Sequence, residues 1–372
     1  MMRYGSVLFA LALAVLAFAV LVPPWTVPTN VATTQTGPDS SAMGLYLDET
    51  AENNPPRQPE ILPASMTSGG GAASGYSNLH VLGGLSRDEF DRTMVALTAW
   101  VAPEEGCGYC HGGQTENYAA DYPRKEVARQ MLQMTRAVNS GWTNHVGSRG
   151  VTCFTCHQDE NVPEYLWHRQ PEPEPPLGGL AGKPAPWDTR ARTIRGFFPE
   201  GPYEKYLLEG QPARYVQANT ALVSGDEPVQ HNLEDGEDVY IMMMQMSQAL
   251  GVNCTFCHQS RYAADWSQSP PNRLMGYSGI KMTLALNQQV FDRLTPLVSS
   301  DLLGPLGDAA KINCGSCHNG RREPAGGMND VYYPALVGDG VPAPANSVAR
   351  YNPHIPILAR HPRVGPRQVA RD

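Results

Sequence analysis

The sequence predicts a mainly α-helical protein with much irregular structure, arranged as two similar halves behind an N-terminal transmembrane helix. A pattern of two cysteines and a histidine occurs four times, and each copy follows a segment with helical periodicity. The chain has 36 glycines and 33 prolines with only 17% charged residues, which favours long loops over a regular helical bundle. An apolar run near the start is close to the length that a bilayer requires.

All eight cysteines lie in the four copies of this Cys-x-x-Cys-His pattern. Disulfides and zinc knuckles are alternatives, but neither explains a histidine directly after every pair with no cysteine left over. At this spacing two thiols bond covalently to a haem and the histidine ligates its iron. The sequence therefore predicts four covalently bound haem c groups, held by Cys107, Cys110 and His111; Cys153, Cys156 and His157; Cys254, Cys257 and His258; and Cys314, Cys317 and His318.

The spacing of these four motifs predicts a multihaem cytochrome c built from two pseudo-repeated dihaem halves. The first cysteines are 46 residues apart in the first pair of motifs and 60 apart in the second, with 101 residues between the pairs. Ser86 and Glu89 form a capping-box pattern that begins the first helical segment, which runs to Trp100. The other three segments are predicted at about 123–139, at 235–250, and from about 281 towards 297.

The chain divides into six predicted segments. Arg3 before the apolar run and Trp25 after it favour an uncleaved anchor with a cytoplasmic N-terminus over a cleaved signal peptide. The arm that follows is rich in Pro, Gly and Ser and is either an ordered wrap over a surface or a disordered linker. The segments are the anchor (1–26), the arm (27–85), the first dihaem half (86–160), a connector (161–230), the second dihaem half (231–335) and an irregular basic tail (336–372).

Each iron also needs a second ligand or an open position. Methionine favours reduced iron and raises the potential, whereas a second imidazole lowers it. Met94 lies 13 residues before Cys107, and Met243 lies 11 residues before Cys254, on helices that can fold back over a haem. The alternative role for each methionine is core packing, and only one or two of the cluster Met242–Met246 can face an iron.

The stretch before Cys153 holds more candidate ligands than one haem can use. Met131 lies 22 residues before this cysteine and His145 lies eight residues before it. That surplus suggests that one segment serves two irons.

On these motifs and spacings, the chain resembles the tetrahaem cytochrome c subunit of purple-bacterial photosynthetic reaction centres over roughly residues 80–335. The segment Val252–His258 and the later Trp266, Pro271, Arg273 and Gly279-Ile280 also look like the family. The resemblance implies methionine as the second ligand of three haems and histidine for the fourth. At the matching positions, the methionines are Met94 for the haem of Cys107 and Met243 for the haem of Cys254. Met131 matches for the haem of Cys153, with Met134 as a competitor. The histidine is His145, for the haem of Cys314. Arg273 is a candidate partner of a haem propionate.

What the resemblance implies about function is electron transfer rather than catalysis. A soluble periplasmic donor, a cytochrome c or a high-potential iron–sulfur protein, would reduce the chain. The haem nearest the membrane would then re-reduce the photo-oxidised bacteriochlorophyll special pair of the reaction-centre core. The family places the third-motif haem beside that pair, followed outward by the fourth, second and first. We expect a location at the bacterial inner photosynthetic membrane, with the bulk of the chain periplasmic, and no nucleic-acid partner.

The charge distribution suggests a docking site for a basic donor. The net charge is −8, and the candidate acidic residues are Glu104, Glu105, Asp159, Glu160 and the segment 226–238. Simple solubility is the alternative reason for such mild acidity. The tail after Val341 is locally basic, and it either contacts the pigment–protein core or anionic lipid, or is merely solvated.

Two other functions share some of these features. A membrane-anchored quinol-oxidising tetrahaem cytochrome of anaerobic respiration has an N-terminal anchor and four motifs, but usually a shorter chain and mostly histidine ligands. A multihaem oxidoreductase would require one of the four second ligands to be missing, so that an iron stays open to substrate.

Overall fold

The computed structural model describes residues 2–21, 31–34, 44–48, 52–59, 75–113, 117–171, 201–213, 233–260, 263, 265–328 and 332–337. Most of the predicted connector and nearly all of the basic tail lie outside the described residues. So does the acidic segment 226–232. The described part is mainly helical with few strands, as predicted.

Four long helices precede the four motifs. They are, in the order of those motifs, α2 (Arg87–Val101), α4 (Pro123–Gly141), α8 (Leu233–Leu250) and α9 (Asn272–Gln289). The remaining helices are α1 (Met2–Leu21), α3 (Gly108–His111), α5 (Thr143–Val146), α6 (Cys153–His157), α7 (Gly201–Leu207) and α10 (Gly315–His318). Three motifs thus lie on the short helices α3, α6 and α10, and the third lies on the 3-10 turn Cys254–Phe256.

Local chemistry explains where these helices begin and end. The Ser86 side chain accepts a hydrogen bond from the Glu89 N–H, as the capping pattern predicts, but the Glu89 carboxylate bonds to Arg92 instead of turning back to the cap. Helix α9 begins nine residues earlier than the predicted position 281. Its expected continuation towards residue 297 is a separate 3-10 helix, Phe291–Leu297, which contains Pro296. Proline lacks the N–H that an α-helix interior needs.

Two small antiparallel sheets connect distant parts of the chain. Strand β1 (Val31–Thr34) pairs with β2 (Leu45–Asp48) in the N-terminal arm. Strand β3 (Leu166–Trp167) pairs with β4 (Lys311–Ile312), so the end of the first half lies against the segment that leads into the fourth motif. The buried Asn287 side chain of α9 adds three hydrogen bonds, to Leu207 O and to both backbone groups of Ile312.

The described parts of the arm lie on the chain's own surface. Leu47 of β2 forms a bridge with Val252, just before the third motif. The carbonyl of Gly44 accepts hydrogen bonds from the side chains of Asn253 and Thr255. Further along, the buried Gln58 accepts a 2.6 Å hydrogen bond from the Thr152 hydroxyl at the start of α6. Where it is described, the arm is therefore an ordered wrap.

Three apolar clusters form the core. The first joins α2 and α6 to the 3-10 turn Pro334–Leu336, with Trp100 and Tyr333 edge to face at 4.9 Å between ring centroids. The second lies between α4, α9 and the 3-10 helix at 291–297, and the third joins α7 and α8 to Trp167. Each cluster combines residues from both predicted halves or from their flanks, so the described structure does not separate into two independent cores. The two-halves repeat stays a prediction.

The first helix, α1, lies at the position of the predicted anchor. Among the described residues, no helix combines the length and the apolarity that crossing a membrane requires. The retained transmembrane anchor at residues 1–26 stays a prediction.

Arg92 of α2, which forms a buried ion pair, attaches the segment after the fourth motif to this helix. Arg92 is 3.0 Å from the Glu89 carboxylate, with side chains only 4% and 11% exposed. Its guanidinium also donates to Tyr332 O and lies 4.0 Å from the centroid of the Tyr333 ring. Removing one partner leaves an uncompensated buried charge.

We predict that Arg92→Met lowers the free energy of unfolding by about 3–5 kcal/mol. The matched control is Arg87→Met on the same helix, where Arg87 and Asp91 form an exposed pair at 4.0 Å. Urea unfolding of the haem-loaded protein, followed by tryptophan fluorescence, measures both. Equal urea midpoints for the two variants would contradict the assigned role of Arg92.

Candidate haem-binding sites

Three of the four motifs open into one large cavity of about 2270 Å³. Ordinary ligand pockets measure about 300–1,000 Å³. The cavity is lined by the motif residues Cys107, Cys110, His111, Cys153, Cys156, His157, Cys314, Cys317 and His318, and also by Met94, Met131, Met134 and His145. Its size and its largely apolar lining fit several porphyrin plates, with the attachment thiols and the candidate iron ligands on its wall.

Three of the four motif histidines make a hydrogen bond that is typical of metal-ligating histidines. The Nδ1 atoms of His157, His258 and His318 lie 2.9, 2.8 and 2.9 Å from the backbone carbonyls of Glu160, Ala263 and Arg321. A bond from Nδ1–H to a carbonyl fixes the ring and leaves Nε2 free for a metal. Burial lowers the pKa of all three, that of His318 to about 4, which favours the neutral imidazole that ligation requires. The remaining motif histidine, His111 of the first motif, packs edge-on against Tyr118.

His145 lies close to His318, at a separation that would suit two imidazoles on one iron atom. The two ring centroids are 6.0 Å apart. Metal–imidazole bonds are about 2.0–2.1 Å long, and each ring centre lies about 1 Å behind its nitrogen, so two imidazoles on one metal have centroids about 6 Å apart. His145 precedes the second motif in sequence, yet in space it lies opposite the histidine of the fourth. The structure thus brings together the pair that the resemblance implies.

Helix α9 holds His145 in this position. His145 Nδ1 lies 3.0 Å from Met275 O, and the neighbouring Asn144 donates a 3.0 Å hydrogen bond to the Ser278 hydroxyl. The ring packs directly on Gly279, where an added Cβ would lie 2.7 Å from His145 Cε1. In the sequence, Gly279 stands out only as a family-like residue. Its role as the surface under His145 depends on the approach of α5 to α9, which no local pattern encodes.

The methionines differ in how closely the structure ties them to a motif. Met94 and Met131 are half-buried and line the same cavity as the first and second motifs, and Met134 lines it too. Thr98 Oγ1, one turn after Met94, lies 3.9 Å from Cys107 Sγ, which places this part of α2 beside the first motif.

The third motif is bordered by α8 and α9. Met243 packs with Met246 and Ile280 against a cluster that contains the fully buried Met242. The Met246 methyl group lies near the motif, since Met246 Cε and Cys257 Sγ would lie 3.7 and 4.0 Å from a Cβ added at Gly276. Met243 and Met246 share one face of α8, so both remain candidates by position.

Arg273, the candidate propionate partner, lies near the third motif. Its guanidinium carbon is 4.1 Å from the centroid of the Trp266 ring, and Nη1 donates a 2.7 Å hydrogen bond to the Ser269 hydroxyl. Burial lowers its pKa. A partly buried cation at this place is suited to an anionic partner.

The second cysteines of the second and fourth motifs, Cys156 and Cys317, meet in space. Their sulfurs form a disulfide, with Cα atoms 4.3 Å apart, and the other six cysteines are free. The disulfide and a thioether bond to haem are alternative fates of the same sulfur. Burial raises the pKa of the Cys153 thiol to about 12 and that of Cys314 to about 11, so both stay protonated. The contact places the second and fourth motifs side by side.

Comparison with known proteins finds relatives over most of the chain. A sequence profile of the family described as "Photosynthetic reaction centre cytochrome C subunit" matches residues 26–337. The chain is 40% identical to the photosynthetic reaction center cytochrome c subunit of Rubrivivax gelatinosus over 307 residues, which cover 80% of each chain. It is 38% identical to the subunit of the same name from Thermochromatium tepidum over 280 residues, covering 74% of this chain and 67% of the relative.

A third relative extends this agreement. The photosynthetic reaction center cytochrome c subunit of Roseobacter denitrificans is 35% identical over 318 residues, covering 82% of this chain and 85% of the relative. The matched region contains all four motifs and all the candidate iron ligands. The chain belongs to the photosynthetic reaction centre cytochrome c subunit family.

Proposed function

We propose that this protein is an electron carrier that passes electrons through four c-type haems, from a soluble periplasmic donor to the photo-oxidised bacteriochlorophyll pair of a reaction-centre core. The observation that carries the proposal is the opposition of His145 and His318 in a chain of this family. The haem groups supply one-electron chemistry at iron, and the chain supplies ligands, burial and fixed spacing. Quinol oxidation is not favoured, because the named relatives are reaction-centre subunits.

The ligand assignment follows from the cavity and from the family. The motif histidines are the first ligands, and Cys156 and Cys317 carry haem like the other six cysteines. Met94 and Met131 are the second ligands at the first and second motifs, supported by their place on the cavity wall. Met243 serves the third motif and His145 the fourth. The fourth haem then has two imidazoles and a lower potential than its three neighbours with methionine.

Contacts between the motifs support a single row. The fourth motif touches the second through Cys156 and Cys317. It also reaches the end of α8, just before the third motif, by a 2.8 Å hydrogen bond from Gly320 N to Ala249 O. The second motif reaches α2 by a 3.2 Å bond from Asp159 N to Trp100 O. The proposed order is therefore third, fourth, second and first, with the low-potential fourth position inside the row.

The matched pair Gly279→Ala and Gly276→Ala tests the ligand assignment. At Gly279 a methyl group collides with His145, whereas at Gly276 the nearest atoms are 3.7 and 4.0 Å away, which is ordinary contact. We expect Gly279→Ala to alter the electron paramagnetic resonance signal of one haem, the one with two histidines, and Gly276→Ala to leave that signal unchanged. His145→Met should raise the potential of that same haem.

The outcome that contradicts the assignment concerns the second motif. If His145→Met removes a ligand from the haem of Cys153 instead of changing the haem of Cys314, then His145 serves the motif that follows it in sequence. The assignment of His145 to the haem of Cys314, in the other half of the chain, would then be wrong.

The donor site is proposed beside the first and second motifs. Glu104 and Glu105 after α2, and Asp159 and Glu160 after α6, are all exposed. The Asn161 side chain donates to the Glu105 carboxylate, which joins the two pairs into one surface. Partial desolvation by neighbouring parts of the chain, and then the negative charge of Glu160, raise the pKa of Asp159. Asp238, another sequence candidate, is paired with Lys205 at 2.8 Å and contributes little free charge.

We predict that the double variant Glu104→Gln and Glu105→Gln slows re-reduction by a basic donor several-fold at low salt, because the acidic surface steers the encounter. The difference should vanish at high ionic strength. Flash-induced oxidation and re-reduction of the haems in membranes measures this, with the exposed Glu209→Gln as control. A re-reduction rate that is independent of salt in the unaltered protein would contradict electrostatic docking.

The N-terminal attachment is part of the proposal. Helix α1, of 20 residues, lies in the segment proposed for this attachment. Its described large side chains are apolar and exposed, which supports contact with lipid: Val7, Phe9, Leu11, Leu13, Val15 and Leu16.

We expect the protein in the membrane fraction to contain residues 1–26. The intact mass of the purified haem-loaded chain measures this directly. The residues Ala17-Phe18-Ala19 match the small-residue pattern of a signal-peptidase site. A mature chain that begins after about residue 19 would show that the segment is cleaved there and that another contact holds the protein at the membrane.

A further inference from the structure

One peptide group after the fourth motif forms hydrogen bonds through both its carbonyl oxygen and its N–H. His318 Nδ1 lies 2.9 Å from the carbonyl oxygen of Arg321. The N–H of Arg322, which belongs to the same peptide group, donates a 2.9 Å hydrogen bond to Glu52 Oε1. The chain of contacts thus runs from the imidazole through a single amide to a carboxylate.

Glu52 reaches this peptide from the N-terminal arm, 266 residues before His318 in sequence. Its carboxylate also accepts hydrogen bonds from Arg322 Nε at 3.0 Å and Nη2 at 3.4 Å. The side chains of Glu52 and Arg322 are 22% and 39% exposed, so water screens the contact only in part. Three bonds to one carboxylate hold it firmly against the loop that follows the motif.

A carboxylate at this position makes the proximal imidazole a stronger electron donor. Hydrogen bonds in a chain polarise one another, so the bond to Glu52 makes the Arg321 carbonyl oxygen a better acceptor. A stronger bond at Nδ1 raises the basicity of a ligating histidine, and charge outside the ligand sphere tunes the metal. Both effects favour ferric iron and lower the potential. The Arg322 guanidinium opposes them, because it draws charge from the same carboxylate.

We propose that Glu52 is a positioning residue for His318 that lowers the potential of the fourth haem through the Arg321–Arg322 peptide. The inference rests on the proposed function, since it requires a haem at the fourth motif. It gives the arm a role beyond wrapping the surface. The second histidine ligand and the Glu52 contact then both lower the potential of the fourth haem.

The test is a redox titration of the full haem-loaded chain in detergent, followed by optical and electron paramagnetic resonance spectra. Glu52→Gln keeps the shape but removes the charge, and it should shift the midpoint of the bis-histidine haem upward. Arg322→Gln leaves the backbone N–H in place and should shift the same midpoint downward. The double variant should fall between the two. The other three midpoints should not change.

Glu323→Gln is the matched control. Glu323 is adjacent to Arg322, but its side chain is 77% exposed and 3.5 Å from Arg149, so it should leave all four midpoints unchanged. An unchanged midpoint in Glu52→Gln, or shifts of the same sign in both single variants, would overturn the inference while the electron-carrier function stands. A fourth motif without haem in the unaltered protein would instead overturn the proposed function.

Discussion

The site depends on the support that α9 gives to His145. A histidine on a short helix between α4 and the second motif would have several directions open to it. Its contacts with Gly279 and the Met275 carbonyl, and the hydrogen bond from Asn144 to Ser278, hold it beside His318. This contact joins residues that are 173 positions apart in sequence. It therefore ties the segment before the second motif to the fourth motif, and in the proposed ligand set it determines which iron receives a second imidazole.

The rest of the fold is consistent with a chain that closes around cofactors. In the described part of the chain five of the ten α-helices have seven residues or fewer, the sheets have two strands each, and the large cavity lies between the apolar clusters. Polar side chains form hydrogen bonds between distant parts of the chain. Asn287 of α9 bonds to α7 and β4, and Gln58 of the arm bonds at the start of α6. Such bonds specify position more than they add stability, since a typical hydrogen bond contributes about 0.5–1.5 kcal/mol net. Much of the cohesion must then come from apolar surface that the haem groups cover.

The sequence predicted the parts of this site that depend on local spacing. The four motifs, the helices before them and the capping role of Ser86 all follow from patterns a few residues long. The opposition of His145 and His318 followed only from the family resemblance. Gly279 and Glu52 were not predicted as parts of the site, because each acts on a residue far away in sequence and neither belongs to a recognisable motif. The early start of α9 was missed because Pro271 and Asn272 look like a loop, whereas Pro271 serves as the cap before its first turn.

The proposed ligand set gives three irons a methionine ligand and one iron two histidines. The near-infrared absorption of the fully oxidised, haem-loaded protein tests this most directly, because a methionine–iron bond gives a band that two imidazoles do not. We predict this band with an intensity that corresponds to three of four haems. A spectrum without the band, or one with equal contributions from all four haems, would contradict the ligand set.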